Sequence, residues 1–127
     1  MTLHVEFVAP EGEVWVGDAQ RIIAKTLDGD VGILVGHTPL LGILAEGSVV
    51  RILPEDGQGD GEVTAAIGGG FLSVADDRVS ILARQALLGR HVDRAQAQAA
   101  LDAAGPGEEN TDVRYLRAQL KAAGDRA

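Results

Sequence analysis

The chain has 127 residues, of which 46% are hydrophobic and none is cysteine, so it can build one apolar core but neither a disulfide nor a thiolate metal site. The formal net charge of −8 argues against nucleic acid as the main partner. No segment resembles a signal peptide or approaches the roughly 20 apolar residues that span a bilayer, so we expect a soluble cytoplasmic protein that meets a membrane only through a partner complex.

The first two thirds of the chain have the pattern of short β-strands. Only 3% of the residues are aromatic and 17 are glycine, as expected of aliphatic strands joined by turns. Leu3, Val5 and Phe7 alternate with polar residues, which is typical of a half-buried strand. Further strands are predicted at residues 13–16, 21–27, 33–35, 49–53, 63–67, 71–74 and 78–83. Hairpins are predicted across the acidic loop at 55–61 and the turn at 76–77. About eight to ten such strands indicate a sandwich or barrel.

Helix-forming residues replace the strand pattern after residue 88. The segment at 93–104 reads DRAQAQAALDAA, and Asp93 is its predicted N-cap. A Gly-Pro pair follows and ends this helix. Asn110 or Thr111 then caps a second helix, which we expect to end near Ala123. A short turn between two helices predicts an antiparallel hairpin.

The chain therefore divides into two predicted domains, a β-sandwich at 1–88 and a helical hairpin at 89–127. Residues 1–88 hold 13 acidic and 5 basic side chains, whereas residues 112–127 hold 2 acidic and 4 basic ones. On the second helix, helical spacing predicts an apolar stripe of Val113, Leu116, Leu120 and Ala123 and a basic stripe of Arg114, Arg117 and Lys121. The first helix is mostly alanine, which buries little area, so we expect the hairpin to be held loosely. The basic stripe fits either an acidic partner or simple solvation.

Ligand-binding motifs are weak in this sequence. Gly68, Gly69 and Gly70 are followed by phenylalanine and a strand, which favours a strand connection over a phosphate loop. The loop at 56–61 begins like a calcium loop, but its twelfth position is Ile67 instead of glutamate. The three histidines lack metal-ligand spacing. We therefore expect no cofactor and no metal.

The stretch GDVGILVGHTPLL at residues 29–41 holds the main candidate site. Asp30 and His37 bracket a buried apolar run, and Thr38 follows the histidine. These three side chains could serve as an acid–base pair and a nucleophile in a small hydrolase. An exposed loop, stiffened by Pro39 and shaped for a partner, is the interpretation we favour, because few other titratable groups accompany them.

Two blocks are the most distinctive part of the sequence. GDVGILVGHTPLLGIL at 29–44 is similar to the block Gly-Asp/Glu-x-Gly-Ile-Leu-Pro-Gly-His-x-Pro-Leu-Leu of the epsilon subunits of bacterial F-type rotary ATP synthases. GGGFLSVADDRVSILA at 68–83 is similar to a second block of the same family, Gly-Gly-Phe-Leu-x-Val, a turn, and Val-x-Ile-Leu-Ala. Their order and spacing also agree, and the helical hairpin extends the resemblance to nearly the whole chain.

This resemblance implies a ten-stranded β-sandwich followed by two antiparallel helices, with no catalysis by the chain itself. It implies a place on the central stalk, peripheral to the cytoplasmic face of the cell membrane. The implied partners are the gamma subunit, the cytoplasmic loops of the c ring and, through the helical arm, the alpha and beta subunits of the catalytic head. A stand-alone β-sandwich binding module with a helical tail is the alternative.

The resemblance also assigns roles to particular residues. Docking to the stalk and c ring falls to Asp30, Gly36, His37, Thr38 and Pro39. Arg114, Arg117 and Lys121 belong to the arm, which in this family extends into the catalytic head and inhibits ATP hydrolysis.

The sequence departs from the family pattern at two places. Val35 stands where the family usually has proline, a mild change in the stiffness of the loop. Some members bind ATP through Ile/Leu-Asp-x-x-Arg-Ala on the first helix. Here Asp93 runs directly into Arg94 and Ala95, two residues short of that spacing. Neighbours on a helix point about 100° apart. Nucleotide binding through Asp93 and Arg94 is therefore not expected.

Overall fold

A computed structural model describes residues 2–55, 61–105 and 110–124 of the chain. Most of the loop predicted at 55–61 and of the turn predicted at 105–110 lies outside these residues. The strands are β1 Leu3–Ala9, β2 Gly12–Thr26, β3 Gly29–Leu34, β4 Leu40–Pro54, β5 Val63–Ala75, β6 Arg78–Ala83 and β7 Ala86–Leu88. A single 3-10 turn, Gly89–His91, leads to the helices α1 Arg94–Ala104 and α2 Thr111–Ala122.

The strands form one sheet that closes on itself as a flattened sandwich. Their order is β1-β6-β5-β4-β2-β3, with β7 paired to β5. Because β1 also pairs with β2, the strands β1, β6, β5, β4 and β2 form a closed ring, and β3 pairs with β2 outside it. The β1–β6 pairing is parallel and the other pairings are antiparallel. The largest side chains of the core are Phe7, Leu3, Ile22, Ile33, Leu44, Ile52, Ile67, Leu72 and Ile81. The mainly β fold with two C-terminal helices confirms the predicted fold class.

The predicted number of ten strands is not confirmed, since the described residues form seven. The predicted strands at 13–16 and 21–27 are both parts of β2, which has 15 residues, and those at 63–67 and 71–74 are both parts of β5. Glycines that read as turns are sites where a long strand bends while its pairing continues. Gly47 has φ of 73° at a register shift in β4. Such bulges turn a strand from one layer to the other without ending it.

Both helices begin where their capping residues predict. The Asp93 side chain accepts a hydrogen bond of 3.0 Å from the backbone N–H of Gln96. The Asn110 side chain accepts one of 2.9 Å from the N–H of Val113. Each bond satisfies one of the amides that a helix start leaves without an intrahelical partner.

Helix α2, and not α1, packs against the sandwich, where it covers β4 and β5, and α1 lies on α2. Ala118 and Ala122 of the helix meet Ala66 of β5, and all three are buried. Because these residues are small, the helix approaches the sheet closely. The predicted apolar stripe is thus only partly right, since Leu116 and Leu120 remain half-buried.

Candidate functional site

The loop at 35–39 joins β3 to β4, and two hydrogen bonds hold its backbone, one from Gly36 and one from the next residue. Gly36 has φ of 87°, in the left-handed region that glycine adopts without steric cost. Its N–H donates a 2.7 Å hydrogen bond to the Asp77 carboxylate. The N–H of His37 donates to the carbonyl of Leu34 at 3.0 Å. The residues predicted as a docking loop therefore form an ordered turn.

Asp30 and His37 do not lie in the same loop. Asp30 is the second residue of β3 and pairs with Lys25 of β2. From Asp30 to Leu34 the strand rises about 13 Å, and His37 lies beyond its far end. The His37 ring nitrogen Nδ1 lies 2.6 Å from the carbonyl oxygen of Thr38. The arrangement therefore offers no acid–base pair for the hydrolase alternative.

Two exposed leucines flank the docking loop. Leu34 ends β3 with 59% of its surface exposed, and Leu41 near the start of β4 is 75% exposed. Thr38 and Pro39 between them are exposed as well. Large apolar side chains beside an ordered polar loop are characteristic of a surface that a partner covers.

A second exposed surface, which sequence reasoning missed, runs across β4, β5 and β6 to the residue that follows β2. Ile43 of β4 pairs with Phe71 of β5, and Phe71 pairs with Leu82 of β6. Leu27, just after β2, donates its N–H to the Ile43 carbonyl. The four side chains are between 50% and 69% exposed and line a groove of about 570 Å³. We call Leu27, Ile43, Phe71 and Leu82 the apolar row.

The signal for the apolar row was present as pairs of consecutive apolar residues. Ile43-Leu44, Phe71-Leu72 and Ile81-Leu82 each break the strict alternation of a half-buried strand. Successive side chains of a strand point to opposite faces. Leu44, Leu72 and Ile81 accordingly fill the core, and their neighbours form the apolar row.

Of the predicted basic stripe on α2, Arg114 faces the sandwich. A Cβ placed on Gly47 would lie 2.6 Å from the Arg114 Cβ, so the helix passes directly over this glycine. The Arg114 guanidinium lies 3.8 Å from one Glu46 carboxylate oxygen, and Arg84 lies 2.6 Å from the other. Arg117 and Lys121 are exposed on the helix. With the arm docked, the three bases therefore do not form one solvent-facing stripe.

The absence of nucleotide binding at Asp93 and Arg94 stays a prediction, and the structure gives a physical reason for it. The Asp93 carboxylate caps α1, and Arg94 is the first, exposed residue of that helix. When the family motif is aligned on Asp93, its arginine falls on Gln96 and its alanine on the buried Ala97. The cation that would face a phosphate is therefore replaced by an amide.

A cavity of about 360 Å³ lies at one edge of the contact between the sandwich and the arm. Glu11 and Glu13 line it together with His91 and Tyr115. Burial raises the pKa of the Tyr115 phenol, and the nearby Glu11 carboxylate raises it further. This acidic lining disfavours anionic ligands such as phosphates.

Neither metal ligands nor a membrane span is found in the part of the chain that the structure describes. No group of three or more Asp, Glu or His side chains is arranged there to hold a metal ion. Neither of the two described helices has the length and apolar character needed to cross a membrane.

The fold and its surfaces define a class of protein, a closed β-sandwich with exposed apolar side chains on its surface and a helical hairpin folded against it. The family described as ATP synthase, Delta/Epsilon chain, beta-sandwich domain matches residues 2–89. The chain is 47% identical over 127 residues to the ATP synthase epsilon chain of Thermobifida fusca (strain YX), covering 95% of this chain and 91% of that relative. It is 45% identical over 121 residues to the epsilon chain of Streptomyces griseus subsp. griseus, covering 91% and 94%. The chain therefore belongs to the family of ATP synthase epsilon chains.

Solved structures agree with this fold. A chain in the mitochondrial ATP synthase of Euglena gracilis, described as OSCP/F1/c-ring in rotational state 1, aligns with a TM-score of 0.72 at 22% identity and covers 96% of this chain and 81% of its own length. A chain from the central stalk and c ring of the Tetrahymena thermophila enzyme aligns with a TM-score of 0.60 at 20% identity, covering 97% of this chain and 91% of its own length. At identities of 20–22%, this likeness shows a shared fold and nothing further.

Proposed function

We propose that this chain is a non-catalytic subunit of the central stalk of a proton-translocating ATP synthase, where its sandwich docks on the rotor and its arm regulates ATP hydrolysis. The observation that carries the proposal is the apolar row, because a sandwich that already buries a full core still exposes four large side chains side by side. Exposed apolar surface of this extent marks a site that a partner protein covers.

The apolar row is the surface that we assign to the gamma subunit. Strands lie about 4.8 Å apart, so the side chains on β4, β5 and β6, together with Leu27 at the end of β2, form a ridge about 15 Å long. Glu46 and Arg84 line the same groove and form a 2.6 Å ion pair beside the ridge. An apolar centre with a polar rim is the usual anatomy of a protein–protein interface.

The docking loop is the surface that we assign to the cytoplasmic loops of the c ring. Gly36, His37, Thr38 and Pro39 present polar groups on an ordered backbone, which lowers the entropy lost on binding. Asp30 is exposed near the opposite end of β3, about 13 Å along the strand from Leu34, so we assign it to a separate part of the docking surface. Through these contacts the chain would lie at the cytoplasmic face of the cell membrane as a peripheral protein.

The hairpin is the part that we assign to regulation. Its contact with the sandwich rests on small residues and a few polar links, so undocking exposes little apolar area. Once free, Arg114, Arg117 and Lys121 would share one side of α2 and could meet acidic surface on the alpha and beta subunits of the catalytic head. No cofactor and no nucleic acid enter this proposal.

Replacing Phe71 by aspartate tests the proposal. Phe71 is 53% exposed, so the change should leave the fold intact while placing a charge in the centre of the apolar row. Ser73 lies two residues further along β5 and is also exposed, which makes Ser73→Asp a matched control on the same face. We expect the wild-type chain and Ser73→Asp to co-elute with the gamma subunit, and Phe71→Asp to elute alone. Co-elution of all three would contradict the assigned surface, and co-elution of none would favour a stand-alone binding module.

A further inference from the structure

The turn between β5 and β6 has an unusual backbone that brings an acidic side chain to the docking loop. Ala75 and Arg78 pair across the turn, and the two residues between them, Asp76 and Asp77, have φ of 51° and 61°. Positive φ at both central positions is the geometry of a type I′ hairpin turn, which matches the twist of the strands and strongly favours glycine or asparagine. Aspartate tolerates this region better than most residues do.

Asp77 connects the β5–β6 turn to two other parts of the chain, the docking loop and the start of β1. Its carboxylate oxygen Oδ1 accepts the 2.7 Å hydrogen bond from the Gly36 N–H. Its backbone carbonyl accepts a 2.8 Å hydrogen bond from the N–H of His4, at the start of β1. The hydrogen bond to the carbonyl fixes the turn against β1, so the Asp77 carboxylate reaches the loop from a backbone that is itself held in place. A hydrogen bond to an ionised acceptor is also stronger than one between neutral groups.

Val35 and Leu40 pack against the core at the two ends of the docking loop, so the exposed residues between them depend on backbone contacts. His37 is tied by its N–H to Leu34, one residue before the loop. Thr38 and Pro39 are exposed, and proline has no N–H to donate. Gly36 has no Cβ that could lock its backbone by packing, and space within 4 Å of that position is empty. The bond to Asp77 therefore acts together with the His37–Leu34 turn bond to restrain this glycine, and it is the side-chain contact that fixes the Gly36 N–H.

We propose that Asp77 is a positioning residue for partner binding, which holds the backbone at Gly36 and thereby sets the direction of His37, Thr38 and Pro39. The role in binding rests on the proposed function of the docking loop, whereas the role in shaping the loop does not. Asp77 reaches the loop across 41 positions of sequence, so a change in the β5–β6 turn alters a surface formed by another segment.

Three variants of the full chain separate this role from a general effect on the turn. Asp77→Gly keeps the left-handed backbone but removes the carboxylate. Asp77→Asn keeps both a side-chain acceptor and the tolerance for positive φ. Asp76→Gly changes the neighbouring left-handed residue and leaves the loop contact in place. The readouts are hydrogen exchange of the Gly36 amide and NMR relaxation of His37 and Thr38.

We expect Asp77→Gly to speed exchange of the Gly36 amide by roughly tenfold or more, as loss of a bond to a charged acceptor implies. The same variant should increase the mobility of His37 and Thr38. Asp77→Asn should restore most of the protection, and Asp76→Gly should match the wild-type chain. Unchanged Gly36 exchange in Asp77→Gly, or an equal change in Asp76→Gly, would overturn the positioning role.

Proton pumping by the reconstituted ATP synthase tests the role of Asp77 in partner binding separately from its role in shaping the loop. We expect ATP-driven pumping to fall with Asp77→Gly and to recover with Asp77→Asn. If the loop becomes mobile and pumping is unchanged, the loop is not a docking element and the binding role is refuted, although Asp77 still shapes the loop. If pumping falls while the loop stays ordered, the positioning role is refuted instead.

Discussion

The hydroxyl of Thr64 on β5 donates a hydrogen bond to the carbonyl oxygen of Ala122 at the end of α2, across 58 positions of sequence. The last carbonyls of a helix have no intrahelical donor, so this bond supplies a partner that the hairpin cannot supply by itself. Gly89 lies beside the same carbonyl, where a Cβ would clash with it. The end of the arm is therefore held by the sandwich through a polar contact.

Replacing Thr64 by valine should loosen the docked arm. Valine keeps the shape of threonine and favours a strand, but it cannot donate to the Ala122 carbonyl. We expect a loss of about 1 kcal/mol in docking free energy, measured as faster hydrogen exchange of the α2 amides. Ser73→Ala, which removes an exposed hydroxyl from the same strand, should leave α2 exchange unchanged. Equal exchange in the Thr64 variant and the wild-type chain would show that the hydroxyl does not hold the arm.

Gly47→Ala should displace α2 from the sandwich. The added Cβ would lie 2.6 Å from the Arg114 Cβ and 2.9 Å from the Arg114 backbone, and φ at this position is 73°. Gly61→Ala is the matched control, because Gly61 has φ of 96° and nothing within 4 Å of its Cβ position. We expect Gly47→Ala to cost about 1–3 kcal/mol more than the control in urea unfolding. Similar losses in the two variants would mean that backbone strain alone accounts for the effect.

Charge reversal at Arg117 and Lys121 should relieve inhibition of ATP hydrolysis. Both side chains are exposed on the docked arm, whereas Arg114 also contacts Glu46, so a change confined to these two residues leaves the Glu46 contact intact. We expect the Arg117→Glu/Lys121→Glu chain to raise hydrolysis by the assembled complex, and we expect truncation after Ala104 to raise it as well. Arg90→Glu, on an exposed base outside the helix, is the control. Inhibition by the intact arm should also weaken as salt rises, because charges are screened over about 10 Å at 0.1 M salt.

Hydrolysis rates that are equal for the truncated and intact complexes at low salt would contradict a regulatory arm. The hairpin would then serve as a packing element of the stalk.

Alkaline pH should loosen the arm through Tyr115. The pKa of its phenol is raised above the ordinary value of 10.0, first by burial and then by the Glu11 carboxylate. The neutral phenol is the form that the docked state favours. Its contribution to stability is complete below the pKa of the free phenol and is lost as pH rises through the folded-state pKa. Tyr115 is the single tyrosine of the chain, so a titration of phenolate absorbance reports on this group.

Glu11→Gln should lower the pKa of Tyr115 part of the way toward its ordinary value of 10.0. Tyr115→Phe should abolish the fall in thermal unfolding midpoint that ionisation of the phenol causes at alkaline pH. A phenolate titration at the ordinary value would contradict burial of Tyr115 between the arm and the sandwich.

The helices and their limits could be predicted because the signals for a helix are local. Asp93 and Asn110 cap amides three residues ahead of them, and a pattern that repeats within one turn is visible in a single window of sequence. The turn at residues 35–39 was also predictable, because Gly36 permits a left-handed backbone and Pro39 fixes its own φ wherever they stand. The residues that form these features are neighbours along the chain.

The strand count, the apolar row and the anchor of the docking loop depended on tertiary structure. Gly68, Gly69 and Gly70 read as a strand connection in the sequence, but β5 runs through them and stays paired with β4 on both sides. Ile43 becomes the neighbour of Phe71 only through the register of β4 with β5, and Gly36 meets Asp77 only when the sandwich closes. Sequence by itself determined which side chains were apolar, which backbones were constrained and where helices began. Strand register decided which of them came together, because pairing is fixed by the burial of a whole face and not by any one residue.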